Sequence, residues 1–293
     1  MKDIIVRRLV NAVKEIAGEK YHVKESKIMR NNGVEFQAIN ISADGDIIST
    51  AVYVDKYIVD ILMGKKTVAH AAEEIFKTYL EDKKVSFGVD ISLLTNKKYI
   101  LDHVEYQMVN VAQNAELLQK IPNREIMDLA AVYRIMTNKD YSCLLSYEIM
   151  MLAGISVEDL DKAAVRNTEK VGFIKKTMAQ VMAEDLDMPE EDVAEMEEGP
   201  QLYVLTNKRK VNGANILLFK GELAEFAEMI GDDFFILPSS IHEVLAVPAS
   251  QVDYKELKHM VKDVNDTQVA PNEILGYEVY RYDRKTRSLS IAA

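Results

Sequence analysis

The sequence predicts an α+β fold, with mixed or antiparallel sheets, packed helices and two or three subdomains. Three observations carry that reading. Helical and strand-like periods interleave along all 293 residues instead of segregating to one end. An Asn-Gly pair sits between two alternating runs near the N-terminus, the strongest short-range signal for a hairpin. The length exceeds one domain of roughly 100–200 residues, and 48% hydrophobic with 28% charged residues is enough apolar content to build a core.

The elements follow in order. Ile5, Leu9, Ala12, Val13 and Ile16 recur at helical spacing, and Asp3 and Glu15 interrupt any apolar block, so the first segment is an amphipathic helix and not a secretory signal. Tyr21 to Met29 and Val34 to Ile41 read as strands around Asn31-Asn32-Gly33, with Val34, Phe36 and Ala38 competing against Ile39 and Ile41 for the buried face. Ile47 to Val54 reads as a third strand after the turn Asp44-Gly45-Asp46. A short helix, Tyr57 to Met63, ends at Gly64, and Thr67 opens another that runs to about Asp82. These elements make an N-terminal unit, 1–95.

A middle unit, 96–183, alternates strands near Val104 to Val111, Asp128 to Met136 and Ser142 to Leu145 with helices near Asn114 to Lys120 and before Gly154. Ser156, with Asp159 three residues on, caps a further amphipathic helix built on Leu160, Ala163, Ala164 and Val165. Glu184 to Glu198 then holds nine acids and no base, which accounts for most of the net charge of −11 and reads as a solvated linker, 184–199. The C-terminal unit, 200–293, reads as a strand Leu202 to Leu205, a basic turn, a strand Gly213 to Phe219 and a helix Gly221 to Ile230 stopped by Gly231. Strands Phe234 to Leu237 and Val244 to Val247, a helix Tyr254 to Val264 and a terminal hairpin around Arg284 to Arg287 complete it.

Composition bounds the function. Outside the acid block the charges nearly balance, so no basic face marks a nucleic-acid partner, and no apolar run approaches the roughly 20 residues that span a bilayer. Cys143 is the single cysteine, which excludes internal disulfides and fits a cytoplasmic protein. No cofactor signature is present: neither the Gly-x-Gly-x-x-Gly nor the Gly-x-x-x-x-Gly-Lys pattern occurs.

The candidate site is the cluster Ser239, Ser240, His242 and Glu243 inside FFILPSSIHEVLAVP. As a hydrolase it would use a serine with His242 as base, yet Ser240 and His242 two apart on a strand stand about 6–7 Å from one another. As a zinc site it begins His-Glu-x-x-His, but Ala246 holds the second histidine's place. Ser240 and Glu243 also match a Ser-x-x-Glu capping box. The favoured reading is therefore a binding or interaction module using these four residues, with a protein partner or a second copy, no metal and no cofactor. A hydrolase or metal-dependent enzyme on the same segment is the alternative; His259 and Glu256 would have to join His242 and Glu243 to make a ligand set. His22, His70 and His103 have no companions at ligand spacing. The basic turns Lys208-Arg209-Lys210 and Arg281 to Arg287 read as solvated, and form an anion site only if they share one edge of a sheet.

The segments LYVLTN, GANILLF, DDFFILPSSIHEVLAVP, MVKDVN and EILGYEVYRYD, together with DLAAVYRIM and LAGISVEDLDKAAVRNT, resemble an uncharacterised bacterial family, a domain-of-unknown-function group common in anaerobic gut bacteria. The resemblance covers most of the chain. It implies a cytosolic bacterial protein and brings no catalytic residue to transfer.

Overall fold

The computed structural model describes residues 1–46, 49–86, 91–137, 142–186, 188 and 201–293. It is an α+β protein whose sheets are all antiparallel, divided into two compact units, Met1–Asp90 and Ile91–Ala293.

In the first unit, helix α1 (Lys2–Ala17) buries Ile5, Val6, Leu9, Val10 and Val13, while Ile16, expected on that face, stays exposed. Strands β1 (Tyr21–Met29), β2 (Glu35–Ala43) and β3 (Thr50–Tyr53) pair in sequence order. Asn32 and Gly33 take φ of 62° and 66° at the β1–β2 turn, the left-handed conformation that Asn and Gly adopt most readily. The competition along β2 is settled for Ile39 and Ile41, which are fully buried opposite Val52 and Val23. Phe36 lies against Tyr53, its ring centroid 5.6 Å away. Helices α2 (Asp55–Leu62) and α3 (Val68–Ser86) add Ile58, Ala71, Ala72 and Ile75 to the core, and the Thr67 hydroxyl accepts the His70 N–H at the start of α3. Of the expected third strand, Ile47 and Ile48 lie outside the described residues.

The second unit has two sheets. Helix α4 (Lys97–His103) leads into β4 (Val104–Asn110), and a single helical turn, α5 (Ala115–Leu118), leads to β5 (Asn123–Ile126). Strand β6 (Leu129–Met136) pairs with β4 on one side and with β5 and β7 (Ser142–Leu144) on the other. Helices α6 (Tyr147–Leu152) and α7 (Val157–Val171) follow; the Ser156 hydroxyl accepts the Asp159 N–H and caps α7 as expected. Strand β8 (Phe173–Thr177) and helix α8 (Met178–Leu186) precede β9 (Tyr203–Asn207). A 3₁₀ helix (Gly213–Leu218), α9 (Lys220–Ile230), β10 (Phe234–Leu237), β11 (Val244–Pro248), α10 (Tyr254–Gln268), β12 (Tyr280–Asp283) and β13 (Ser288–Ile291) complete the chain. The second sheet runs β13-β12-β10-β11-β9-β8.

Three expectations change. Segments 96–183 and 200–293 form one unit, because Tyr106, Tyr133 and Leu160 share a continuous apolar core with Phe226, Phe234 and Tyr282. Burying one such large side chain stabilises by about 1.5–3 kcal/mol, so the two segments hold each other together. The acidic segment does not separate domains, since β8 before it and β9 after it pair directly from Phe173↔Asn207 to Thr177↔Tyr203. Residues 189–200 and Asp187 lie outside the described residues. Finally, Gly213 to Leu218 is 3₁₀-helical instead of extended: all but Leu218 are buried, so the run shows no alternation that could distinguish a strand.

Strand β4 is an edge of its sheet, and side chains cover its open backbone groups. Tyr106 N–H donates to the Thr168 hydroxyl at 3.2 Å, its carbonyl accepts from Asn215 Nδ2 at 3.0 Å, and Val104 O accepts from Asn167 Nδ2 at 2.9 Å. Thr168 is fully buried. Thr168→Val keeps the shape and orphans the Tyr106 N–H, so a loss of about 1–3 kcal/mol is expected. Urea unfolding reads it as a lower midpoint at unchanged m value; an unchanged midpoint refutes it.

Candidate functional site

The sequence-predicted residues hold a turn together. Ser240 Oγ accepts the backbone N–H of His242 at 2.9 Å, and Ser240 N–H donates to the Glu243 carbonyl at 3.3 Å. Ser239 N–H bonds Leu237 O, and Ile241 N–H bonds Glu273 O. No helix begins here, so the capping box is not formed; the same residues instead close the connection from β10 to β11. The His242 ring is partly exposed: Nδ1 accepts the Asn212 N–H at 3.2 Å, which leaves the ring proton on Nε2, 3.9 Å from Glu273. The serine hydroxyl therefore meets the histidine backbone and not its ring.

His259 is exposed on α10, with Nδ1 on Lys255 O. His22 pairs with Asp44 and His70 with Glu74, both at 3.0 Å, and His103 stacks on Tyr99. Among the described residues no three His, Cys, Asp or Glu side chains converge as metal ligands. Burial pushes the Cys143 thiol up, away from thiolate chemistry.

The two basic turns do not share an edge. Strands β9 and β12 are separated by β11 and β10 in an antiparallel sheet, which makes them run oppositely, so their following turns leave opposite ends of it. Four of their cations are also engaged: Arg209 with Glu105, Lys210 with Asp185, Arg281 with Asp233 and Arg284 with Glu228.

A different site forms in the second unit, where the hairpin β5–β6, helix α7, the start of α9 and the hairpin β12–β13 enclose a cleft of about 650 Å³. Its wall is mixed: Ile126, Met127, Val165, Leu218, Leu223 and Leu289 supply apolar surface, and three cations, Arg124, Lys220 and Arg287, reach it. Met127 and Arg287 take φ of 58° and 53°, a left-handed backbone that a side chain with Cβ disfavours by roughly 1–2 kcal/mol. Backbone strain of this kind clusters at binding sites.

Behind the cleft lies a polar knot. Tyr106 OH and Tyr133 OH both donate to Asp161 Oδ1, at 2.5 and 2.9 Å, and Arg124 Nη1 reaches Asp161 Oδ2 at 3.4 Å. The Arg124 guanidinium sits over the Tyr106 ring, 5.5 Å from its centroid. Burial, reinforced by the Asp161 carboxylate, drives both phenols far above the ordinary tyrosine value, so they remain neutral donors. This arrangement orients Arg124 and leaves its Nε buried with no hydrogen-bond partner. The hydroxyl of Tyr282, a residue 1% exposed that also borders the cleft, is likewise buried and unpartnered.

Tyr106, Arg124 and Lys220 come from distant segments at no recurring spacing, which is why a search for short motifs passes over them, whereas Arg287 is visible in the sequence as part of the basic turn Arg281 to Arg287. Only the left-handed Met127, in a tight two-residue connection, had a local signature, and Met is not a residue that announces such turns.

A family model described as a family of unknown function, DUF5688, matches residues 4–284. The chain belongs to DUF5688. The match spans both units; the polar knot and the Ser239–Glu243 turn fall within the DUF5688 region, and the cleft extends past it at Arg287, Ser288 and Leu289. No curated protein and no solved structure matches the chain. Among the described residues, no helix is long and apolar enough to cross a membrane.

Proposed function

We propose that this chain is a cytoplasmic bacterial binding module whose ligand is a small molecule seated in the cleft of the second unit. The observation that carries the reading is a 650 Å³ concavity whose lining brings Ile126, Val165, Leu218, Leu223 and Leu289 together with Arg124, Lys220 and Arg287. Binding pockets are of this size and combine apolar side chains with a few polar groups.

Gly221→Leu tests it. Gly221 borders the cleft, a Cβ built on it meets no atom within 4 Å, and it lies in the first turn of α9 with an ordinary φ. The leucine fills open space and removes a helical glycine, so stability stays the same or rises by up to about 1 kcal/mol. Occupancy should fall: native mass spectrometry of wild-type protein from its own cells shows a retained small molecule, and the variant shows the bare chain. A wild-type chain that carries no such mass and also fails to bind the neutral dye N-phenyl-1-naphthylamine ends the reading.

A second reading, contact with a protein partner or a second copy, is supported by Met151 and Leu152 on α6, which are 68% and 75% exposed. Light scattering of the full chain measures it directly.

A further inference from the structure

We infer that the ligand of the cleft is a small amphiphilic acid, its anionic group held by Lys220, Arg287 and the N-terminus of α9 and its hydrocarbon body laid on Leu218, Leu223 and Leu289. The inference rests on the cleft being a ligand site and names the chemistry that site takes. The side chains of Lys220 and Arg287 make no hydrogen bond or close ion pair with any described residue, Glu228 near Arg287 being bonded to Arg284, although the protein pairs most of its other basic turn residues. Both border the same cleft.

The N-terminus of α9 adds to this. Its N-cap, Phe219, supplies no side-chain acceptor, and Lys220 and Gly221 there border the cleft, so the N–H groups of these two residues and the positive end of the helix remain available to an anion, while those of Glu222 and Leu223 bond Phe219 O. Tyr282, whose hydroxyl is buried and unpartnered, also borders the cleft. Two acids border the cleft as well. Glu222 pairs with Lys175 at 2.7 Å, a cation it shares with Glu225 at 2.9 Å, and Glu169 has no ion pair. Lys220 and Arg287, which have no ion pair, thus share the cleft with Glu169, with the partly compensated Glu222 and with Leu and Val side chains, which favours an anion with an apolar body over an inorganic ion.

Two dyes with one skeleton decide the matter: 8-anilinonaphthalene-1-sulfonate and the neutral N-phenyl-1-naphthylamine, titrated by fluorescence against the full chain. Lys220→Gln and Arg287→Asn, the latter chosen because Asn tolerates a left-handed φ, should each weaken the sulfonate about tenfold and leave the neutral dye within about twofold. Added salt should weaken only the sulfonate, and Glu169→Gln should tighten it. Equal affinity for the two dyes, or substitutions that move both alike, overturns the acid inference while the cleft stands as a site. Wild-type protein that binds neither dye, or Gly221→Leu protein that binds both as well as wild type, overturns the site itself.

Discussion

Gly213→Ala should be the most damaging single methyl in the second unit, lowering stability by about 3 kcal/mol or more. A Cβ at this position would lie 2.7 Å from Asn207 N and closer still to the Thr206 hydroxyl and the His242 carbonyl. Those last two atoms are already bonded to each other at 2.7 Å, and they fasten β9 to the turn that holds Ser240. Two of the three obstacles are backbone, so relief requires moving chain and not rotating a side chain.

The neighbouring turn has little slack. Asn207 Oδ1 accepts from Arg209 N and its Nδ2 donates to Val211 O, while Lys210 and Asn212 are held at φ of 54° and 56°. Against a total stability of roughly 5–15 kcal/mol for a typical domain, the loss is a large share. Urea or thermal unfolding measures it, and a variant within about 1 kcal/mol of wild type sinks the argument. Thr206→Ser, which keeps the hydroxyl that bonds His242, should be far milder and shows that the damage comes from crowding at Gly213.

The glycine also shows where sequence reading stops. A glycine with ordinary φ marks close backbone approach only once its neighbours are known, and those neighbours come from β9 and from the turn before β11. Where structure is local the chain was legible: Asn32-Gly33 at the hairpin, Ser156 with Asp159 at the cap of α7 and Gly231 at φ 74° after α9 each act within a few residues. Strands β5 and β8 were passed over because they lack a clean alternation; every residue of β8, Phe-Ile-Lys-Lys-Thr, is half-buried. The Ser-Ser-Ile-His-Glu segment drew attention as a cluster of reactive residue types, and the structure uses its polar atoms to shape a turn. The cleft was invisible for the opposite reason, since Arg124 and Arg287 meet only after hairpins far apart in sequence are packed together.

Stability should fall steeply once the pH passes about 10, and the buried tyrosines of the second unit set the slope. Tyr106, Tyr133 and Tyr280 are each at most 1% exposed. Tyr106 and Tyr133 donate to Asp161, and Tyr280 donates to Asp128 at 2.7 Å. Burial first, and the neighbouring carboxylates second, raise all three phenols well above the ordinary value of 10.0. Below that value both folded and unfolded chains keep these protons, and the stabilisation is fully present. Above it the unfolded chain releases them while the folded chain retains them, so unfolding gains free energy from every further rise in pH until the folded groups also titrate. Each retained proton contributes about 1.4 kcal/mol per pH unit, so three together give about 4 kcal/mol per unit. Urea midpoints taken on both sides of pH 10, with tyrosinate absorbance followed in parallel, should show exposed tyrosines ionising first and these three ionising only with unfolding. Tyr133→Phe removes one of these protons and should flatten the alkaline slope by about 1.4 kcal/mol per pH unit, whatever it does to stability at neutral pH. A slope unchanged in that variant would mean that Tyr133 ionises in the folded protein, and with it that the hydroxyls behind Arg124 are not the fixed donors that hold the wall of the cleft in place.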